Sequence, residues 1–111
     1  MQKSTAVSAL AALIALMALL VMHGNANAAD AQVKIANFTF EPPVLTVKVG
    51  TTVTWVNDDD IPHLVAEKDG KFRSSALDTD EKFSQTFKTP GTVEYFCAIH
   101  PHMTGKIVVE P

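Results

Sequence analysis

The residues with the clearest chemical potential lie in one short segment near the C-terminus, from Cys97 to Met103. Within this segment Cys97, His100 and Met103 are spaced three residues apart. A thiolate, two imidazoles and a weakly bound thioether are the ligands of a mononuclear copper site that transfers single electrons. His63, far upstream, can provide the second imidazole. We therefore predict that these four residues hold one copper ion, which exchanges single electrons.

Each of the four residues has an ordinary structural explanation when it is considered alone. A single cysteine in a strand is usually a small buried hydrophobe, and a methionine often fills a gap in a core. The combination favours ligation, because predicted strands flank the C-x2-H-x2-M segment and a proline precedes His63 and follows His100. Proline fixes its own φ and favours extended geometry in the preceding residue, so both imidazoles are carried on stiff backbone.

Other candidate sites are weaker. His102 lies within the tight segment between His100 and Met103, and we expect its side chain to point into solvent. The acidic run Asp58–Asp60 lacks the glycine and the glutamate that a calcium loop needs at fixed offsets, so it is predicted to be a solvated turn. Zinc could occupy a site with two histidines and a cysteine, but methionine is a poor ligand for zinc.

The first residues have the pattern of a secretory signal peptide. Lys3 is followed by an apolar run from Ala6 to Met22 and then by the small-residue pattern Ala26-Asn27-Ala28. We expect cleavage after Ala28; the alternative is an uncleaved membrane anchor, for which the apolar run is short. Export agrees with the single cysteine, because one thiol cannot form an internal disulfide and coordination would protect it.

The predicted mature chain, residues 29–111, has the size of one domain. Removal of residues 1–28 from the chain of 111 leaves 83, which is marginal for a hydrophobic core alone, so a bound metal would add stability. Loss of Lys3 leaves 8 basic and 12 acidic residues, a net charge of −4. That balance argues against nucleic acid as a partner and is compatible with docking to a basic protein surface.

Short alternating segments, rich in β-branched and aromatic residues, predict an all-β fold for residues 29–111. Turn residues such as Gly50, Asp69-Gly70 and Pro90-Gly91 separate them. The predicted strands are 33–35, 44–49, 51–56, 63–66, 83–87, 92–97 and 106–109, with at most one helical turn within 74–82. About seven short strands with frequent turns predict a small Greek-key β-sandwich.

The predicted strands explain how the ligands are positioned. Cys97 should end a strand with its side chain pointing inward, on the same face as Val93 and Tyr95. The next strand begins near Lys106, so three ligands lie on one tight connection between adjacent strands. His63 is predicted to begin a separate strand.

Taken together, these residues resemble the cupredoxins. The short C-x2-H-x2-M segment is most similar to the amicyanin and pseudoazurin-like subgroup. The resemblance rests on Pro62-His63 and on Tyr95 to Lys106, and it extends over Val33 to Glu110, including Gly50 to Trp55. It implies a cupredoxin fold and one Cu(I)/Cu(II) ion of type 1, the blue copper type. The ligands that it implies are His63, Cys97, His100 and Met103.

The resemblance also implies a function. Family members are periplasmic electron carriers, so we expect a monomer that docks weakly and transiently to redox proteins such as a c-type cytochrome, a dehydrogenase or a reductase. Electrons would pass through the ring of His100. The expected docking surface around that ring is an apolar rim formed by Ile61, Pro62, Ile99 and Pro101.

Two further functions use the same ligand types. A copper-binding or delivery protein without a redox partner would hold the metal in a labile form. An oxidase or a nitrite reductase needs a second copper centre with many more histidines, and residues 29–111 contain only His63, His100 and His102. We therefore expect an electron carrier and not an enzyme.

Two features depart from the family pattern. Relatives often carry a polar residue directly after the first histidine, and this chain has Leu64 in that position. A side-chain lock is then missing, although the Leu64 backbone N–H can still donate to the thiolate. The predicted mature chain is also short at its N-terminus, so an additional edge strand is expected to be absent.

Overall fold

The computed structural model describes residues 29–111, which contain eight β-strands and no helix. The predicted signal peptide, residues 1–28, lies outside the described residues. In the described part of the chain there is accordingly no helix that could cross a bilayer. The strands are β1 (Asp30–Ala36), β2 (Thr39–Glu41), β3 (Val44–Lys48), β4 (Thr52–Asn57), β5 (Val65–Glu67), β6 (Lys82–Thr86), β7 (Gly91–Cys97) and β8 (Thr104–Glu110).

The strands form two four-stranded sheets, which confirms the predicted all-β fold class. One sheet has the order β2-β1-β4-β6 and the other has the order β3-β8-β7-β5. β1 runs parallel to β4 and β3 runs parallel to β8, whereas the other pairs are antiparallel. The strand that sequence patterning does not predict is β2, which pairs with β1 across the two-residue turn Asn37-Phe38.

The core forms between the sheets because inward-facing apolar residues alternate with outward-facing ones. The pattern is regular in β4, where Val53, Trp55 and Asn57 are buried and their neighbours are half-buried. The Trp55 ring lies edge-on to Tyr95 of the facing sheet, with ring centroids 5.2 Å apart. Both sheets contribute to the core, which includes Val33, Ile35, Val53, Trp55, Tyr95, Cys97, Ile107 and Val109.

Tyr95 and Gly105 are opposite each other on β7 and β8. A Cβ atom at Gly105 would overlap the Tyr95 side chain, so only glycine leaves room for this ring. Burial raises the pKa of Tyr95 to about 12. Because Cys97 follows Tyr95 by two residues on the same inward face, we expect this packing to influence the position of the thiol.

Candidate metal centre

Three predicted ligands lie at the end of β7 and in the connection to β8, as the sequence predicts. Cys97 is the last residue of β7 and is fully buried. Backbone hydrogen bonds close the connection: His100 N–H donates to Cys97 O (3.1 Å), Met103 N–H to His100 O (2.9 Å) and Cys97 N–H to Met103 O (2.9 Å). The thiol, the imidazole and the thioether are therefore carried by a segment that cannot open without loss of these bonds.

His63 reaches the same region from the second stretch of chain. It is fully buried, and it pairs with Leu77 through His63 N–H to Leu77 O (3.1 Å) and Leu77 N–H to His63 O (2.7 Å). Strand β5 begins two residues later, at Val65, so the predicted start of the strand at His63 is displaced. Ala98 N–H donates to Leu64 O (3.1 Å) and joins the two ligand-bearing segments directly.

The side chains of His63, Cys97 and His100 converge on one point. Cys97 Sγ lies 3.7 Å from His63 Nδ1 and 3.6 Å from His100 Nδ1, and the three donor atoms lie within 4.8 Å of one another. Metal–N bonds of about 2.0 Å and a metal–S bond of about 2.3 Å would span these separations, so the three donors could hold one metal ion between them.

The chemistry of the donor set favours copper over zinc. Two imidazoles, one thiolate and a methionine are typical of mononuclear copper, whereas zinc rarely takes a thioether. Met103 is buried (6% exposed) and lies at the end of the same hydrogen-bonded connection. Its side chain is therefore kept in the protein interior, and its part in the donor set stays a prediction from the sequence.

The thiol of Cys97 also accepts a backbone hydrogen bond. Leu64 N–H donates to Cys97 Sγ at 3.3 Å, which confirms the expectation for this position. Hydrogen bonds to a sulfur ligand stabilise its negative charge and tune the reduction potential of the metal that it binds. The Leu64 side chain is buried and apolar, so this contact is made by backbone alone.

Asp59 orients the imidazole of His63. Its carboxylate Oδ2 lies 2.7 Å from His63 Nε2. A carboxylate can only accept, so Nε2 carries the proton and Nδ1 keeps its lone pair toward Cys97. Burial would raise the pKa of Asp59, but hydrogen bonds from the Phe38 and Asn37 N–H groups and from His63 bring this pKa below its ordinary value.

The prediction of a solvated turn at Asp58–Asp60 is therefore wrong for Asp59. Its neighbours Asp58 and Asp60 are exposed. Asp59 turns inward because the end of β4 is fixed by Asn57, whose side-chain amide donates to Ile61 O (2.9 Å) and Leu77 O (2.8 Å) and accepts from Asp59 N–H (2.9 Å). The sequence signal that could have revealed this role is the spacing D-x-x-x-H between Asp59 and His63.

Phe38 is the second residue of the site that sequence reasoning misses. It lies in the turn between β1 and β2 and is 53% exposed. Its ring stands edge-on to His100, with centroids 5.1 Å apart, and edge-on to His63, at 5.6 Å. The expected apolar rim therefore has an aromatic member that comes from the opposite sheet.

The surroundings of His100 otherwise agree with the sequence. His100 is partly exposed, Ile99 is 47% exposed and Pro101 is exposed. Pro62 is exposed and Ile61 is half-buried, so all four residues of the predicted rim reach the surface. His102 is exposed, as predicted.

Comparisons with known proteins agree with the fold. The family model for a cupredoxin-like domain matches residues 9–109. Amicyanin-alpha of Methylorubrum extorquens is 39% identical over 90 residues, covering 77% of this chain and 76% of that protein. Amicyanin of Paracoccus versutus is 41% identical over 88 residues, covering 74% and 67%. The solved structure of an oxidised methionine-to-leucine mutant of amicyanin aligns with a TM-score of 0.69 at 39% identity, covering 72% of this chain and 81% of that one.

Proposed function

This chain belongs to the cupredoxin-like domain family and is a cupredoxin of the amicyanin type, and on that premise we propose that it is a periplasmic carrier of single electrons between redox proteins. It is a blue copper electron-transfer protein rather than an enzyme, with one copper ion as its cofactor. We assign the copper ligands as His63, Cys97, His100 and Met103.

The convergence of three donor atoms within 4.8 Å, from two stretches of chain, carries the proposal. Thiolate and thioether sulfur favour Cu(I), and imidazole suits both oxidation states, so bound copper supplies reversible one-electron chemistry. Met103 would supply a weakly bound thioether, which would tune the potential. The donor set has no counterpart in a purely structural core, where two imidazole nitrogens would not be directed at a thiol.

The chain contributes rigidity and exclusion of water. Cys97 and His63 are fully buried, so water and oxidants have little access to the thiolate. The backbone hydrogen bonds within residues 97–103, together with Ala98 N–H to Leu64 O, keep the ligands at fixed separations. A site that changes little between oxidation states needs little reorganisation, which favours fast electron exchange.

His100 is the proposed point of electron exchange, because it is the one imidazole of the pair that reaches solvent. The rim of Ile61, Pro62, Ile99 and Pro101 provides a small apolar surface for weak, transient docking. Proposed partners are a c-type cytochrome and a dehydrogenase or reductase. The proposed periplasmic location rests on the signal-peptide pattern of residues 1–28.

Addition of Cu(II) to purified residues 29–111 tests the proposal. We expect an intense blue colour and a narrow copper hyperfine splitting in electron paramagnetic resonance. Cys97→Ser should abolish the colour, whereas His102→Ala, which removes an exposed imidazole from the same connection, should retain it. A colourless adduct, or copper that a mild chelator removes at once, would contradict the carrier function and favour a delivery function.

A further inference from the structure

Phe38 occupies a position that is unfavourable for phenylalanine in two respects. Asn37 (φ 52°) and Phe38 (φ 59°) both adopt left-handed backbone conformations in the two-residue turn between β1 and β2. Such turns favour glycine in the second position, because a side chain there is strained. The ring is also 53% exposed, so burial in the core does not explain its presence. Strain at a solvent-exposed aromatic residue points to a role for the ring.

The ring contacts both imidazoles of the metal centre, and His100 depends on it more than His63 does. His63 is oriented by the carboxylate of Asp59, which binds its Nε2 at 2.7 Å. Among residues 29–111, the ring of His100 has no such acceptor, and its one polar side-chain contact is with Cys97 Sγ. The Phe38 ring lies edge-on against the His100 ring, with centroids 5.1 Å apart. This packing can orient the His100 ring where no hydrogen bond does so.

The strained turn is held by the same carboxylate that orients His63. Asp59 Oδ1 accepts the N–H of Asn37 at 2.7 Å, and Asp59 Oδ2 accepts the N–H of Phe38 at 3.1 Å. Two successive N–H groups that converge on one anion stabilise a backbone conformation that is otherwise costly. Asp59 therefore connects the buried ligand to the surface aromatic residue that lies over the exposed ligand.

We propose that Phe38 is a positioning residue for His100 and that Asp59 holds it in place. One carboxylate then orients both imidazoles, that of His63 through a direct hydrogen bond and that of His100 through the ring of Phe38. The inference rests on the proposed function, because it concerns the ligand through which electrons are exchanged. The contacts are made between protein side chains, so they can be measured in the metal-free protein as well as in the copper-loaded one.

Phe38→Gly separates the role of the ring from stability of the fold. Glycine adopts a φ near +59° without strain and retains the N–H that Asp59 accepts, so the unfolding midpoint should be unchanged or higher. In the reduced, copper-loaded protein we expect faster motion of the His100 ring in NMR relaxation and a several-fold slower electron self-exchange. Phe38→Tyr should restore both properties. Wild-type ring motion and self-exchange in Phe38→Gly would overturn the proposal.

Asp59→Asn tests the second half of the proposal. An asparagine side chain has one acceptor oxygen and cannot receive the N–H groups of Asn37 and Phe38 together with that of His63. We expect faster hydrogen exchange of the Phe38 amide and the same gain in His100 motion as in Phe38→Gly. Asp60→Asn removes the same charge from the adjacent, exposed residue and should change neither. Equal effects of the two substitutions would overturn the role of Asp59.

The metal-free protein distinguishes failure of this inference from failure of the proposed function. If Cu(II) produces no blue centre, the proposed function fails, and the contact between the Phe38 and His100 rings can still be measured by nuclear Overhauser effects. If the wild type is blue but this contact is absent in both metal-free and reduced proteins, the inference alone fails.

Discussion

The two histidines of the centre are held in different ways, although both direct Nδ1 toward the same sulfur atom. His63 is fully buried, and both its backbone N–H and its backbone C=O are hydrogen-bonded to Leu77. Its Nε2 donates to Asp59. His100 is partly exposed, lies in a six-residue connection between β7 and β8, and is packed against Phe38. The first arrangement relies on hydrogen bonds and the second on ring packing.

This difference suits two tasks that one copper site must perform. A buried imidazole with a fixed tautomer anchors the metal and keeps its geometry constant. A partly exposed imidazole within an apolar rim brings the site to the surface, where a partner can approach. A polar acceptor on His100 would require desolvation when a partner docks, whereas the ring of Phe38 already presents an apolar surface.

The largest expected effect comes from removal of each imidazole in turn. His100→Gly opens a cavity toward solvent, so added imidazole should enter it and restore the blue colour with Cu(II). His63→Gly leaves a closed cavity beside an Asp59 carboxylate that has lost its hydrogen bond from Nε2, and added imidazole should not restore the colour. We expect copper affinity in His63→Gly to fall by more than the roughly 10- to 100-fold typical of losses around a metal ligand.

Absorption titrations with Cu(II), with and without imidazole, measure this difference. His102→Gly is the matched control, because it removes an exposed imidazole from the same connection and should leave affinity and colour unchanged. Equal rescue of the variants at His63 and His100 would show that the two imidazoles are not held differently.

A smaller effect is expected from a change in the packing of Tyr95 against Gly105, close to Cys97 along β7. Gly105→Ala places a Cβ against the Tyr95 ring, which must shift within β7. Overpacking of this kind costs about 1–3 kcal/mol of unfolding free energy. Because Cys97 follows Tyr95 by two residues, we also expect a change in the copper spectrum, with little change in the His63 Nε2–H resonance.

Denaturant unfolding and NMR measure the two parts of this prediction. Gly70→Ala is a useful control, because it also replaces a glycine in a turn, with a φ of 82°, but nothing lies within 4 Å of the added Cβ. It should lower stability through backbone strain without altering the copper spectrum. An unaltered spectrum in Gly105→Ala would show that Tyr95 does not set the position of Cys97.

The sequence predicts the fold class and the three candidate ligands between Cys97 and Met103 because both depend on local spacing. Alternation of apolar residues predicts the strands, and two of the predicted strands lie directly before and after the C-x2-H-x2-M segment. Its backbone hydrogen bonds join residues at most six positions apart, from Cys97 to Met103. His63 can be recognised as a candidate ligand from its residue type. The start of β5 cannot be predicted in the same way, because His63 pairs with the irregular segment around Leu77 and the strand begins only at Val65.

The contact between the Asp59 carboxylate and the backbone of Phe38 is not predictable by the same reasoning. It joins residues 21 positions apart, through backbone N–H groups of residues that adopt left-handed conformations. Turn patterns that rely on glycine miss the pair Asn37-Phe38, and β2, with three residues, is too short to show alternation. Acidic residues in a polar run also resemble a solvated turn until a partner for one of them is known.

The smallest expected effect concerns Glu94, a second carboxylate with a lowered pKa, which lies on the outer face of β7. The hydrogen bond from Lys68 (3.0 Å) and the positive charge of that residue lower the pKa of Glu94. A carboxyl group with a lowered pKa stabilises the folded chain above its unfolded pKa of about 4.3, and the contribution is lost as pH falls through the folded pKa. Because this pair is exposed, salt should screen it as well.

Glu94→Gln should therefore lower the unfolding midpoint slightly near neutral pH, and the difference from wild type should disappear in acid and at high salt. Colour and potential of the copper site should not change, since the pair lies outside the centre. Thermal unfolding at several pH values and salt concentrations measures the first point and voltammetry measures the second. A shifted potential in Glu94→Gln would mean that loss of any carboxylate perturbs the site, and the contrast between Asp59 and the rest of the surface would then disappear.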